Sequence, residues 1–385
     1  MCAAHPPSSA DRACERHHGG RRLSGPRHDT WLIGRLAVVL LACAAAGAAQ
    51  APRVTPPPPP PPFQIWLADL MDEARRRGFD AELVEGALGG LQPLPRVIQA
   101  DRAQAAPSPG LTAYLSARLT APLVARGREM MREHRHLLAR IERWFGVQRR
   151  FVVAIWGAET GYGPYSGDVP VFQALATLAW EPRRADYFRA ELFQALRMVQ
   201  RRHIELRSMV GSWAGAMGQP QFMPSSYLQY AFDFDGDGRR DIWRSVPDTL
   251  ASIANYLRGF GWHNGETWGR EVRLPGTARG RILAAAEPRG EGCGAIRSLG
   301  EARPLADWAG AGVRLADGSP LPRARLEASL VHTADERTFL VYRNYEAVLG
   351  YNCSHYYALS VAMLADRIAA AGTAARDRSP ADALQ

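Results

Sequence analysis

The sequence predicts an α+β protein that is mainly α, with a helical body and a small β-containing insert. Three observations carry this. Apolar side chains recur at helical spacing from Phe63 to about Leu257, short β-prone pieces alternate with Gly and Pro from Glu266 to about Tyr345, and helical spacing returns from Ser354 to Ala371. With 385 residues and 46% hydrophobic side chains, the chain can bury one large or two modest cores, which excludes a small stapled peptide.

Taken in order, Met1 to Asp29 are polar and rich in Arg and His, without apolar periodicity. Trp31 to Ala51 then have the anatomy of an export signal. Arg35 supplies the positive flank, Leu36 to Leu41 an apolar run too short to span a bilayer, and Ala49-Gln50-Ala51 a cleavage site. Leu40-Leu41-Ala42-Cys43 also fits a lipoprotein box, which would cleave before Cys43 and acylate it. Residues 1–51 are therefore expected to be a leader, and the mature protein to be periplasmic, either soluble or lipid-anchored to the outer membrane. Residues 52–62 are a Pro-rich tether, whose unbroken run Pro56 to Pro62 forms extended polyproline with no hydrogen bonds of its own.

Folding begins after the tether. Phe63 to Gly78 reads as a helix ended by glycine, and Leu123 to Gly146 as a helix whose stripe of Met130, Leu137, Ile141 and Trp144 is core. Val272-Arg-Leu274 and Thr338 to Tyr342 read as strands of an insert spanning about 266–345, and residues 372–385 as a disordered tail. No internal repeat is present.

The positive balance is wholly arginine: Lys+Arg is 47 against 38 Asp+Glu, with no lysine, for a formal +9. Without residues 1–51, which hold six Arg and three Asp or Glu, the charge is +6. A basic surface suits a polyanion, and export disfavours nucleic acid. Of the cysteines, Cys293 and Cys353 lie beyond the leader. In an oxidising compartment they can pair, closing a loop of about 60 residues worth roughly 4 kcal/mol; two separate thiols are the alternative.

Chemistry concentrates between residues 151 and 250. Phe151 to Pro164 is an apolar helix carrying one carboxylate, Glu159, at its end, followed by a glycine-rich break. Partial desolvation there raises a carboxyl toward the range a general acid needs, although a helix-terminal Glu can also simply bind backbone amides of the next loop. Gly211 to Tyr227 packs Gly, Pro, Gln and Ser with aromatics, which suits a polyhydroxylated ligand such as a glycan; a tight interhelical turn is the plainer alternative. Asp233-Phe-Asp-Gly-Asp-Gly-Arg239 resembles an EF-hand loop, with Asp233, Asp235 and Asp237 at positions 1, 3 and 5, Gly238 at 6 and the Arg239 carbonyl at 7. Position 12, normally Glu, is Arg244, and Asp241 either coordinates or only caps.

Five motifs in order make the chain from about Phe63 to Ile368 resemble the B-type membrane-associated lytic murein transglycosylases, glycoside hydrolase family 103. They are Ala154-Ile-Trp-Gly-Ala-Glu159-Thr-Gly-Tyr-Gly163, Ala174-Leu-Ala-Thr-Leu-Ala179 leading to Pro182-Arg-Arg184, Gly215-Ala-Met-Gly-Gln-Pro-Gln-Phe-Met-Pro-Ser-Ser226, Asp233 to Trp243, and Tyr351-Asn-Cys-Ser-His-Tyr-Tyr357. The resemblance implies a lysozyme-like helical core with a further helical portion, and a catalytic region of 63–371. It implies Glu159 as the single acid/base, cutting between N-acetylmuramic acid and N-acetylglucosamine with the substrate's N-acetyl group assisting, so that a 1,6-anhydro ring forms. It implies Tyr114, Arg183, Arg184, Ser212, Gln221, Tyr256, Tyr351, Asn352 and Tyr357 as glycan-holding residues, Asp248 as the distal ligand of a structural Ca2+, and no organic cofactor. Asp168, Glu181 and Glu191, the nearby candidates for a second carboxylate, read as surface or helix-pairing residues. The implied partner is peptidoglycan, with wall-synthesis or secretion complexes as further candidates, and the protein is expected to be a monomer. A hydrolytic muramidase or a non-catalytic wall-binding scaffold are the competing readings.

Overall fold

Apolar faces at helical spacing bury themselves by packing helix on helix, and here they do so around two cores that meet along a seam. The computed structural model describes residues 60–104, 110–163, 166–285 and 289–374; the leader, Cys43 and most of the proline run fall outside them. One core is built from helices Leu111–Arg118, Ala121–Glu133, Arg135–Phe145, Arg149–Thr160, Val246–Gly259, Arg343–Tyr351 and His355–Ala374. Its axis is Arg149–Thr160, in which every residue from Phe151 to Gly157 is buried, as expected of a helix apolar on all sides. The other gathers Phe63–Arg76, Ala81–Leu88, Val171–Trp180, Ala185–Gln200 and Pro224–Tyr230. Tyr351 packs against both cores, and Tyr256 turns toward the second although its helix neighbours Ile253 and Leu257 belong to the first.

The insert is an antiparallel sheet in the order Arg303–Pro304, Glu327–His332, Thr338–Val341, Gly269–Arg273, Arg314–Leu315. Leu330 pairs with Leu340 and Val331 with Phe339. Because strand side chains alternate, Leu330 and Leu340 face a small third core with Trp308, while Val331, Phe339 and Val341 face the first helical core. Burial on both faces is why Phe339, Leu340 and Val341 are all apolar rather than alternating with polar residues. A disulfide joins Cys293 of the insert to Cys353 in the turn before the last helix, with Cα atoms 6.2 Å apart.

The structure corrects one helix and extends another. The stretch Leu123 to Gly146 breaks at His134 into two helices, Ala121–Glu133 and Arg135–Phe145, and the buried face of the first, Val124, Gly127 and Met130, continues in phase into the second. Leu138, Ile141 and Phe145 therefore face the core while Trp144 is 64% exposed. The last helix continues to Ala374, past the boundary expected at 371, through an alanine-rich stretch with high helix propensity.

Candidate active site

Glu159 stands in the last turn of Arg149–Thr160, and the sequence around it explains how that turn is held. Gly161 adopts the left-handed conformation at φ 65 that ends the helix. Gly157 is required by close approach: a Cβ there would come within 2.4 Å of the Tyr162 ring, whose hydroxyl donates to Leu123 O at 3.1 Å. On the opposite side Trp156 Nε1 donates to Gln219 Oε1 at 2.9 Å, and Thr160 Oγ1 donates to Gln219 O at 3.1 Å. Glu159 itself accepts a bond of 2.5 Å from the Tyr357 hydroxyl. The residue as a whole is half-buried, and protein encloses its carboxyl. That burial raises its pKa to about 7, against the opposing pull of the Tyr357 bond and the Arg118 charge.

Among the described residues no second carboxylate partners it. Asp168 is exposed, and Glu181 accepts from Arg102 at 2.9 Å. Glu191 is buried and accepts from the Ser225 amide and hydroxyl at 2.9 and 2.6 Å, which fixes the first turn of Pro224–Tyr230.

A row of tyrosines runs along the seam away from Glu159. Tyr357 stacks on Tyr351 with ring centroids 6.4 Å apart, and Tyr351 packs on Tyr256 at 4.6 Å. Tyr351 donates to Pro220 O at 2.6 Å, which ties the row to the glycine-rich loop. Tyr114 lies against Tyr356 at 5.6 Å under the Arg118 guanidinium at 4.6 Å, close enough to Glu159 for the carboxylate charge to act on its hydroxyl. Asn352 is exposed beside Tyr351. Glu159, Tyr114, Tyr351, Asn352 and Tyr357 are thus brought together by three separate segments of chain.

Other expected groove residues are engaged differently. Tyr256 is 7% exposed, its hydroxyl donates to Gly350 O at 2.9 Å and its ring is flanked by Tyr230 and Phe260, so it props Tyr351 instead of presenting a face. Ser212 Oγ accepts from the Ala216 amide at 3.1 Å and closes a turn. Gln221, at φ 50, spends its amide nitrogen on Ser166 O and Gly218 O at 3.0 and 2.9 Å, tying its own loop to the segment at Ser166. Arg183 and Arg184, in a 3-10 turn, both grip the buried Asp101.

The acidic loop winds on its own carboxylates. Asp233 accepts from the Gly236 and Gly238 amides, and both glycines have positive φ of 80 and 85. Asp248 is fully buried and accepts from the Phe234 and Asp241 amides at 2.8 and 2.9 Å. Carboxylate oxygens of Asp233, Asp235 and Asp248 lie within 4.8 Å of one another, and none of the three is ion-paired among the described residues. Asp237 and Asp241 fall outside this group: Asp237 accepts from the Arg239 amide, and Asp241 caps the Trp243 and Arg244 amides. The loop joins the site through Gln219, whose amide donates to Ile242 O and whose side chain donates to Trp243 O at 3.0 Å. Gln219, which ties the Glu159 helix to the acidic loop, and Arg118, whose charge acts on Glu159, were not singled out from the sequence; Gln219 lay inside a quoted motif, whereas Arg118 had no signal beyond being one helical turn from Tyr114.

Comparison with known proteins follows this geometry. The family described as Transglycosylase SLT domain matches residues 62–366. Membrane-bound lytic murein transglycosylase B of Escherichia coli (strain K12) is 35% identical over 201 residues, covering 50% of this chain and 55% of that protein, so the match spans about half of the relative. The crystal structure of SltB3 from Pseudomonas aeruginosa in complex with NAG-anhNAM-pentapeptide matches with TM-score 0.71 and 41% identity, covering 80% of this chain and 79% of the other. The Escherichia coli lytic transglycosylase Slt35 in complex with calcium matches with TM-score 0.64 and 29% identity over 80% of this chain and 93% of the other.

Proposed function

Because the chain belongs to the transglycosylase SLT domain family, we propose that it is a lytic transglycosylase that cleaves the β-1,4 bond between N-acetylmuramic acid and N-acetylglucosamine in peptidoglycan and leaves 1,6-anhydro ends. The observation that carries this is one half-buried acid, Glu159, held by Tyr357 at the seam with no second carboxylate beside it among the described residues. A hydrolase of the two-carboxylate kind lacks its partner here, whereas substrate-assisted chemistry needs only one.

With Oε1 accepting from Tyr357, the proton of neutral Glu159 resides on Oε2, which gives it to the glycosidic oxygen. As the C1–O bond breaks, the muramic N-acetyl oxygen bonds to C1 and the N-acetylglucosamine side leaves with its 4-hydroxyl. Glu159, now ionised, takes the proton of the muramic C6 hydroxyl, and O6 displaces the N-acetyl oxygen at C1. The anhydro ring closes, Glu159 is neutral again, and no water is consumed. A pKa of about 7 lets one group serve in both protonation states near neutrality. Tyr114, Tyr351, Asn352 and Tyr357 would line the groove beside it, with Arg183 and Arg184 farther along.

The three carboxylates fit calcium: all donors are hard oxygens and no cationic side chain compensates them. Asp233, Asp235 and Asp248 would hold the ion, whose part is to brace the loop that Gln219 ties to the Glu159 helix. The enzyme would act in the cell envelope, reached through the leader 1–51 and anchored by Cys43 if acylated; among the described residues no helix is long and apolar enough to cross a membrane. Mass spectrometry of purified sacculi digested by the mature protein tests the reading. Anhydro-muropeptides support it, reducing-end products assign a muramidase, and binding without any product assigns a scaffold.

A further inference from the structure

Beneath the Arg183–Arg184 pair lies one buried carboxylate. Asp101, on the helix Pro95–Gln104, is 1% exposed. Its Oδ2 accepts from Arg183 Nε at 2.5 Å, and its Oδ1 accepts from Nη2 of both Arg183 and Arg184. Burial alone would raise its pKa, but the bonds to the two arginines outweigh it, so the group stays ionised. Arg184 also donates to Gln104 Oε1 at 3.0 Å and lies 4.7 Å over the Phe188 ring, while its buried Nε has no hydrogen-bond partner.

Two consequences follow. Two guanidiniums against one carboxylate leave a net positive charge, and the neighbouring Arg102–Glu181 pair neutralises itself. Both arginines remain 34% exposed, so that charge faces outward from a fork whose rotamers are already fixed. The turn carrying them opens the helix Ala185–Gln200, and the Arg184 charge acts on Tyr187, the next aromatic toward Tyr256 and the row that ends at Glu159. Sugar hydroxyls and N-acetyl groups are neutral; along a peptidoglycan strand the anionic groups near the sugars are the carboxylates of the peptide stem. A fixed, undercompensated arginine fork is suited to them through charge-assisted bonds.

We propose that Asp101 is a positioning residue, which locks Arg183 and Arg184 into a fork that takes a stem-peptide carboxylate and so favours peptide-bearing over bare glycan strands. This rests on the reading above that the arginine pair lines the glycan groove.

The test is a double-mutant cycle with kcat and KM measured on peptide-bearing strands and on strands stripped of peptide by an amidase, with the lactyl carboxylates so freed capped as neutral methylamides. Asp101→Asn is expected to raise KM for peptide-bearing strands about tenfold with kcat changed less than about twofold, since a contact equal in ground and transition states affects KM alone. For stripped strands the rise stays below about threefold, and in an Arg183→Ala/Arg184→Ala background Asp101→Asn adds less than about twofold, because a residue acting through the arginines has nothing left to position. Asp101→Glu, which keeps the charge but displaces it by a methylene, should raise KM on the same substrate and serves if Asp101→Asn does not fold. Equal KM changes on both substrates, or an additive cycle, would overturn the inference. If the arginine variant raises KM and neither Asp101 variant does, the positioning role alone fails. If none of them alters KM, the pair is not in the groove and both readings fall.

Discussion

Glu159→Gln separates the chemical role of the carboxyl from its cost to the fold. Gln keeps the shape and the acceptor for Tyr357 but can neither give nor take a proton. In the folded protein the carboxyl ionises near 7, against 4.5 for a free glutamate. That interval corresponds to about 3 kcal/mol at 1.36 kcal/mol per pH unit, and the partial exposure of the residue reduces it to about 1–2 kcal/mol. The folded pKa is raised, so below pH 4.5 both states are protonated and nothing is lost. As pH rises from 4.5 to about 7 the unfolded chain releases a proton that the fold retains, and native stability falls with each step. The variant has no such loss. Urea melts of the two proteins should therefore show a gap that is about 1–2 kcal/mol more favourable to Glu159→Gln at pH 8 than at pH 4, with lytic activity at neutral pH reduced about 10²–10⁴-fold. A gap independent of pH, or retained activity, would refute the reasoning from a desolvated acid.

Tyr357→Phe removes the bond that favours the ionised carboxyl, so the pKa of Glu159 should rise and the alkaline limb of the pH–rate profile should move to higher pH, with kcat lower by about tenfold. Gly157→Ala drives a Cβ into the Tyr162 ring and should cost about 1–3 kcal/mol in a chemical melt, with a loss of activity as the last turn shifts. EDTA should lower the melting temperature and calcium, but not magnesium, restore it; Asp248→Asn should abolish that response, and a melt indifferent to EDTA would remove the metal. Replacing both Cys293 and Cys353 by Ala should destabilise the fold by about 2–4 kcal/mol, read by urea melts against the oxidised parent.

Several features needed only local chain chemistry. An apolar helix that ends in Glu159 and then Gly161 announces a carboxyl at the edge of a core, because the apolar run before it is continuous in sequence, whereas the tyrosines that enclose it come from distant segments. The sheet insert was visible from its β-prone pieces, and the acidic loop from Asp and Gly spacing, since each depends on residues a few positions apart. Where adjacent apolar residues competed for one face the reading failed: Leu138 and Phe145, not Leu137 and Trp144, continue the buried face of Met130 and Ile141, and Trp144 points outward.

The sequence by itself determined the helical body with its β insert, the acid at a helix end, the winding of the Asp233 loop and the family likeness. Only the tertiary structure decided which distant residues meet. Tyr357, almost two hundred residues from Glu159, supplies its hydrogen bond; Gln219 ties the acid helix to the acidic loop; Asp101 grips an arginine pair more than eighty residues away; Tyr256, expected to hold sugar, is a strut. The reason is physical. Propensity and periodicity act over one or two turns of chain, whereas hydrogen bonds and ion pairs between distant segments exist only once hydrophobic burial has brought two cores together along one seam.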